Sequence, residues 1–414
     1  MIKIVESSNI KAVAALLSTS RVRDKATEQR AARIVGAVRR EGDRALRRYA
    51  HELDGLAGPI EIPRTEWERR AAELPRGVRA AIRRAALHIR RVARAQVPRA
   101  FRLTVTPGVV VEQRVVPLQR VGCYVPGGLY PLPSSLLMTA IPARVAGVET
   151  IVAVCARPHP AVMAAAVEAG IDRFFQIGGA HAVSALAYGT RSLPRVDKIV
   201  GPGNRWVAAA KALVSRDCSI DFYAGPTEIL IVANTSPARW LAADLIAQAE
   251  HDPDARAILV TTNRRLAARV RVAVERLAPQ DGPARASLDR YGAVIVCRDQ
   301  ADALSVANRA ASEHVVVESD VMAAQITTAG SVFVGRWTAQ AAGDYAIGSN
   351  HVLPTAGAAR FRGGLSAADF VRLVSVQRMT KRGLTRLAPT ITTLARTEGL
   401  SAHALSIDIR IADL

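Results

Sequence analysis

A chain of 414 residues, half of them apolar, is long enough to bury two or more hydrophobic cores, since about 100 to 200 residues per domain is usual. Its apolar runs are broken by Arg, Pro or Gly short of the roughly 18 residues a membrane helix needs, so no membrane partner is expected. The net charge of +20 would suit a nucleic-acid binder, but it comes mostly from Arg spread along helices. Aromatic residues are only 4% of the chain, so platforms for stacking bases are missing and nucleic acid is not an expected partner.

The N-terminus, MIKIVESSNIKAVAALLSTSRVRDK, lacks a basic start followed by an unbroken apolar core and a small-residue cleavage site, which points to a cytoplasmic protein. Residues 1 to about 100 read as helix-rich and Arg-rich. They are interrupted at LDGLAGPIEIPRTEW, where Gly55, Gly58, Pro59 and Pro63 mark a connection. Within residues 76 to 95, Val78, Ile82, Ala85, Ile89 and Val92 form an apolar stripe at helical spacing, and most of the arginines fall off it. VVVEQRVVPLQRVGCYVP (109 to 126) reads as a hairpin or a pair of strands.

From there short apolar strands alternate with helices: ETIVAVCA, PAVMAAAVEAG, RFFQIGG, AVSALAYG, DKIVGPG, WVAAAKALVS and SIDFYAG. A second series follows the same grammar, through EILIVAN, DLIAQAEH, AILVTT, ARVRVAVERLA, GAVIVCRD, ALSVANRA, HVVVES and SVFVGR. Two such series predict an α/β fold with parallel sheets in two domains of related design. After Gly364 the chain reads as helical again, punctuated by Pro389 and Gly399, and forms a tail that would dock on another surface. Cys123, Cys155, Cys218 and Cys297 lie far apart without a CxxC pair, which suggests neither a disulfide framework nor a thiolate zinc site.

Glycine turns stand between strand and helix at 125 to 135, 177 to 183 and 200 to 206, where backbone N–H groups can face a phosphate. None completes GxGxxG, and a lone turn of this kind is more often only tight packing, although three in neighbouring βα units raise the odds of a nucleotide site. On a helix, Asp244, Gln248 and His251 stand at i, i+4 and i+7 and share one face. That face is either a solvated helix end or one side of an ion site. Downstream, Glu313 with His314, Asp344 with His351, and Glu398 with His403 supply carboxylates and imidazoles suited to a divalent metal and to proton transfer.

The blocks CYVPGG, GGAHAVSALAYGT, VDKIVGPGN, DFYAGPTEILIVA, DLIAQAEH, SEHVVV, AGDYAIGSNHVLPT and LSAH occur in that order, and with them the chain resembles the histidinol dehydrogenase family over nearly its full length. The resemblance implies two incomplete Rossmann-like domains, a helical N-terminal segment (1–18) and a C-terminal dimerisation tail (366–414). The first domain would combine 19–122 with 225–365, and the second would span 123–224. It also implies a zinc-dependent, NAD-dependent homodimer with shared active sites that oxidises L-histidinol through the aldehyde to L-histidine.

Gln248, His251 and Asp344 would be zinc ligands, joined by His403 from the other subunit. His314 would be the base for the alcohol proton and Glu313 the activator of water. Thr227, His351 and Glu398 would line the substrate site. Tyr124 and Asn204 would touch NAD, as would His181, which stands where the family has a glutamine and so predicts weaker NAD binding. Ser312, where the family has proline, and Tyr130, where it favours a small residue, depart from the pattern as well. Similar enzymes that keep the metal ligands act on other alcohols such as a sulfopropanediol, but His351 and Glu398 favour histidinol.

Overall fold

The computed structural model describes residues 2–18, 24–127, 130–223 and 225–413. Gly128 and Leu129 of the first glycine turn, and Ala224 of SIDFYAG, therefore lie outside the described residues. In chain order the strands are β1 (Lys3–Glu6), β2 (Glu61–Ile62), β3 (Phe101–Thr106), β4 (Val109–Pro117), β5 (Arg120–Tyr124), β6 (Thr150–Val154), β7 (Arg173–Phe175) and β8 (Lys198–Val200). They continue with β9 (Ser219–Ile220), β10 (Glu228–Val232), β11 (Arg256–Thr261), β12 (Ala293–Val296), β13 (His314–Val317), β14 (Ser331–Val334) and β15 (Val371–Met379).

One six-stranded sheet runs β1-β12-β11-β10-β13-β14 with every pairing parallel. A second runs β2-β7-β6-β5-β8-β9, parallel except for β2. Apart from the edge strands β1 and β2, each takes the strands of its own series in the order third, second, first, fourth, fifth. This is the doubly wound order without its sixth strand, as the alternating sequence predicts. Helices cover both faces, so β10 (EILIV) and β13 (HVVV) are buried at every position, which is why they read as unbroken apolar runs.

The domain boundaries differ from the expected ones. Residues 1–18 are not a separate helical segment: β1 pairs with β12, Lys3 opposite Ala293, and Val13 of the following helix (Ile10–Leu17) enters the core beside Leu230 and Val260. Residues 25–97 belong with the second sheet rather than with 225–365. There β2 pairs with β7, and Ala31, Val35 and Val38 of the Lys25–Glu41 helix pack on one face of that sheet. Ile82, Ala86, Ile89 and Ala93 of the Arg76–Gln96 helix pack on the other face, while Val78 stays exposed. Residues 109 to 126 form the expected pair of strands and not a hairpin, because β5 joins the second sheet whereas β4 pairs with β3 and β15.

The tail is not helical throughout. β15 runs antiparallel along the whole of β4, from Val371 opposite Pro117 to Met379 opposite Val109. The helices Lys381–Thr397 and Ser401–Ala412 follow and pack on each other, with Arg396 bonded to Asp408 at 2.5 Å. Pro389 lies inside the first of them and does not end it. The arm is locked to the β3–β4 turn at Gly108, whose carbonyl accepts the Thr380 N–H at 2.9 Å. A side chain at Gly108, where φ is +88°, would meet the Gly383 backbone nitrogen at 2.8 Å, so only glycine fits. Among the described residues, no helix is long and apolar enough to cross a membrane.

At the carboxyl end of the first sheet, where a doubly wound domain ordinarily receives a ligand phosphate, the protein supplies its own anion. The Glu318 carboxylate, just after β13, accepts the N–H groups of Asn234 (2.9 Å), Thr235 (3.0 Å) and Ser236 (2.7 Å) and the hydroxyls of Thr235 and Ser236. Burial pushes this carboxyl up, but the Ser236 hydroxyl and the three N–H groups outweigh it and hold Glu318 below its ordinary value. A depressed folded value contributes stability that is present above the unfolded value and is lost as pH falls through the folded one. Glu318→Gln should therefore cost about 2 kcal/mol in urea unfolding at pH 7, with the gap to wild type closing as pH drops below about 4. A gap that is independent of pH would refute this account.

Candidate active site

Glu313 and Thr227 stand one residue before β13 and β10, whose register sets Ile229 opposite His314 and so brings Glu228 level with Glu313. The Ala238–Ala249 helix follows β10 and returns along the sheet, which brings Gln248 in its last turn to the same amino edge. The Thr227 hydroxyl donates to Glu313 Oε2 at 2.5 Å and accepts from the Gln248 amide nitrogen, and the Glu228 N–H donates to the same carboxylate oxygen at 2.9 Å. Gln248 is fully buried, yet its carbonyl oxygen has no partner. A buried acceptor without a donor is costly and suits an oxygen reserved for a cation.

His314 Nδ1 lies 3.1 Å from the Glu228 carbonyl oxygen. A carbonyl can only accept, so Nδ1 carries the proton and Nε2 presents a bare lone pair. That Nε2 is buried without a hydrogen-bond partner, 3.9 Å from Asp344 Oδ1. Burial pushes the imidazole down, against the pull of Asp344 and the Glu228 carbonyl, so the ring is held in its neutral, basic form. The neighbouring Glu313 carboxyl moves the other way. Burial pushes it up to about 8, opposed by the Thr227 hydroxyl and the Glu228 N–H and aided by the charge of Asp344.

Asp344 comes from the short Gln340–Tyr345 helix and accepts from the Gln340 amide at 2.7 Å. Its backbone carbonyl lies 3.0 Å from His351 Nδ1, which by the same reasoning leaves His351 Nε2 free to accept. Burial lowers His351, with Asp344 opposing and His314 and His251 adding. Thr227, Gln248, Glu313, His314, Asp344 and His351 thus gather at one edge.

The other expected residues stand outside this buried cluster. The helix ends at Ala249, so His251 sits exposed beyond the cap instead of continuing the helical stripe. Asp244 lines a small cavity with Trp240, Glu318 and Arg336, where burial pushes its carboxyl up to about 6. Glu398 and His403 are exposed on the C-terminal arm. Among the described residues of one chain, no three His, Cys, Asp or Glu side chains converge as a metal cage.

The glycine turns mark the carboxyl end of the second sheet. Tyr124 closes β5, and its buried hydroxyl accepts the Gly179 N–H at 3.0 Å. The Gly178 N–H donates to Asp54 at 2.9 Å. His181, with no exposed surface, turns Nε2 onto the same Asp54 oxygen at 2.9 Å. Asn204 is exposed and caps the Arg205–Val214 helix through the N–H groups of Trp206 and Val207. Behind this turn a buried Lys211–Asp221 pair holds Gly201: the ammonium donates to its carbonyl at 3.0 Å, and the carboxylate accepts its N–H at 2.8 Å. Asp54, Asp221 and Glu228 escaped the sequence reading, since a lone acid at the end of a helix or strand looks like a solvated residue.

The family model described as histidinol dehydrogenase matches residues 17–411. The chain belongs to the histidinol dehydrogenase family. It is 45% identical to the histidinol dehydrogenase of Pseudomonas aeruginosa, covering 96% of this chain and 94% of the relative. It is 44% identical to that of Methylococcus capsulatus, again over 96% and 94%. The crystal structure of histidinol dehydrogenase from Elizabethkingia anophelis matches with a TM-score of 0.94 at 30% identity, covering 100% of this chain and 98% of the other. Membership in the histidinol dehydrogenase family accounts for the ordered sequence blocks, and it makes the protein an oxidoreductase.

The Thr227 hydroxyl joins Gln248 to Glu313, so Thr227→Val, nearly equal in volume, strips a donor from one and an acceptor from the other. The variant should lose about 1–3 kcal/mol of stability, read by thermal unfolding of the metal-free protein. An unchanged melting temperature would show that the link carries no energy.

Proposed function

We propose that the protein oxidises L-histidinol through L-histidinal to L-histidine, using zinc and NAD, in a homodimer whose active sites are shared. The observation that carries this reading is the pair of unpartnered buried acceptors, Gln248 Oε1 and His314 Nε2, at one edge of a parallel sheet. The donor set fits zinc, which accepts nitrogen and oxygen ligands without cysteine. Gln248, His251 and Asp344 would hold the ion on one chain, and His403 of the partner subunit would complete it. His251 is exposed beside this edge, and His403 is exposed on an arm whose sheet and helices show apolar residues, among them Phe101, Leu103, Leu373, Leu405 and Ile409, to solvent.

When bound, zinc would help to hold the substrate in place, and NAD, which Tyr124, His181 and Asn204 at the glycine turns would bind, would accept the two electrons of each oxidation. The protein's own residues handle the protons. Neutral His314 takes the alcohol proton on its bare Nε2. Glu313, whose carboxyl is poised near neutrality, takes a proton from the water that adds to the aldehyde. Thr227 and the Glu228 N–H orient the Glu313 carboxylate. His351 and Glu398 would bind the substrate's polar groups, with Glu398 matching its ammonium.

The purified protein should reduce two NAD per L-histidinol, lose activity to a chelator and regain it with zinc. His251→Ala should also lower bound zinc in elemental analysis. His314→Ala should impair alcohol oxidation about a hundredfold or more, whereas Glu313→Gln should chiefly slow conversion of supplied histidinal to histidine. Turnover of a sulfopropanediol without turnover of histidinol would replace the substrate assignment.

Sharing of the site between chains has its own test. In a heterodimer of one His251→Ala chain and one His403→Ala chain, ligation across the dimer leaves one site intact and one doubly damaged, so about half the wild-type activity returns. Ligation within a chain puts one lesion in each site and gives none. An inactive, correctly assembled heterodimer would rule out a shared site.

A further inference from the structure

Glu228 is a buried acid at the catalytic edge whose carboxyl the chemistry above does not use. It is 6% exposed and opens β10, whose other residues are all apolar. Three of its groups hold three different partners. Its N–H donates to Glu313 Oε2 at 2.9 Å, and its carbonyl accepts from His314 Nδ1 at 3.1 Å. Its side-chain Oε1 accepts the Ala356 N–H at 3.3 Å.

Ala356 is unusual in itself. Its φ of +53° lies in the left-handed region that alanine disfavours, so the surroundings must hold it there. The adjacent Thr355 is 3% exposed, and its hydroxyl accepts the Gly225 N–H at 2.6 Å. This strained turn ends the stretch that carries Asp344 and His351, and its other end is fixed by the bond from His351 to the Asp344 carbonyl. The chain is therefore clamped at 355–356 to the segment that presents Thr227.

Burying a carboxyl for no more than a long bond from Ala356 and a backbone N–H of Glu313 is unfavourable on stability grounds alone. Burial pushes Glu228 up to about 7, with Arg256 opposing and Glu313 adding, so the group is readily neutral and the cost falls. We propose that Glu228 is a positioning residue: its side chain holds the strained Thr355–Ala356 turn against the strand edge that presents Glu313 and His314, and so fixes His351 and Asp344 relative to the catalytic pair. The proposal rests on the reading of this edge as the histidinol site.

Three variants test it. Glu228→Gln keeps an acceptor for Ala356 and should stay close to wild type. Glu228→Ala removes the acceptor and should raise KM for histidinol about tenfold, with kcat changing less and more histidinal escaping before the second oxidation. Ala356→Gly adopts the positive φ without strain, so adding it to Glu228→Ala should recover most of the lost KM effect. Hydrogen exchange gives a readout without substrate: peptides covering 344–356 should exchange faster in Glu228→Ala and be slowed again in the double variant.

A wild-type KM in Glu228→Ala would overturn the proposal. So would a defect that Ala356→Gly fails to repair while Glu228→Gln shares it. Failure of the wild-type protein to oxidise histidinol would instead remove the functional reading, and the exchange data would still decide whether Glu228 holds the turn.

Discussion

The parallel pairing of β10 with β13 is the constraint on which the candidate site depends. With Ile229 opposite His314, the peptide groups of Glu228 lie where one can donate to Glu313 and the other accept from His314. A slip of one residue would exchange the faces of every side chain in β13 and separate the acid from the base. The burial of both strands on two faces makes such a slip prohibitive, so the hydrophobic core itself sets the catalytic geometry. Two adjacent residues then acquire opposite tendencies from the same dry environment: the carboxyl is pushed up, and the imidazole is pushed down.

The two sheets share a strand order but offer opposite ends. The first presents Thr227, Glu313 and His314 at its amino edge, and the second presents its glycine turns at its carboxyl edge. Each sheet also holds an internal anion at its carboxyl end. Glu318 fills the turn after β10, where its carboxylate takes the N–H groups of Asn234, Thr235 and Ser236. Asp54 plays a related part at Gly178 in the second sheet, where it also engages His181. His181 is therefore held by the protein itself, fully buried against a carboxylate.

The βα alternation and the strand runs were legible in the sequence because strands buried on both faces must be continuously apolar. The domain boundaries were not, because the sheet on which a helix packs depends on contacts far away in the chain: residues 25–97 carry ordinary amphipathic stripes that fit either sheet. β15 was missed since most of its residues are exposed and its apolar alternation changes phase between Leu373 and Val374. The polar stripe of Asp244, Gln248 and His251 was drawn one turn too far, past a helix that stops at Ala249. Gln248, Glu313 and His314 could be found through ordered motifs, whereas the role of Glu228 could not. Its importance lies in its peptide bonds and in the φ of a residue far along the chain, and neither leaves a mark on composition or spacing.

The ring of Trp337, 82% exposed, packs against Trp240 with centroids 5.2 Å apart and planes tilted by 49°. Trp240 lies near the start of the helix that carries Gln248 in its last turn, and Trp337 precedes the helix that carries Asp344. The two indoles thus sit at the outer ends of two levers whose inner ends bear candidate ligands of the metal. Indole emission depends on both solvent and neighbouring rings, so a change in the angle between the levers registers as a change in colour or intensity. Two of the four tryptophans of the chain thus form an indole pair whose emission would follow the arrangement of its site.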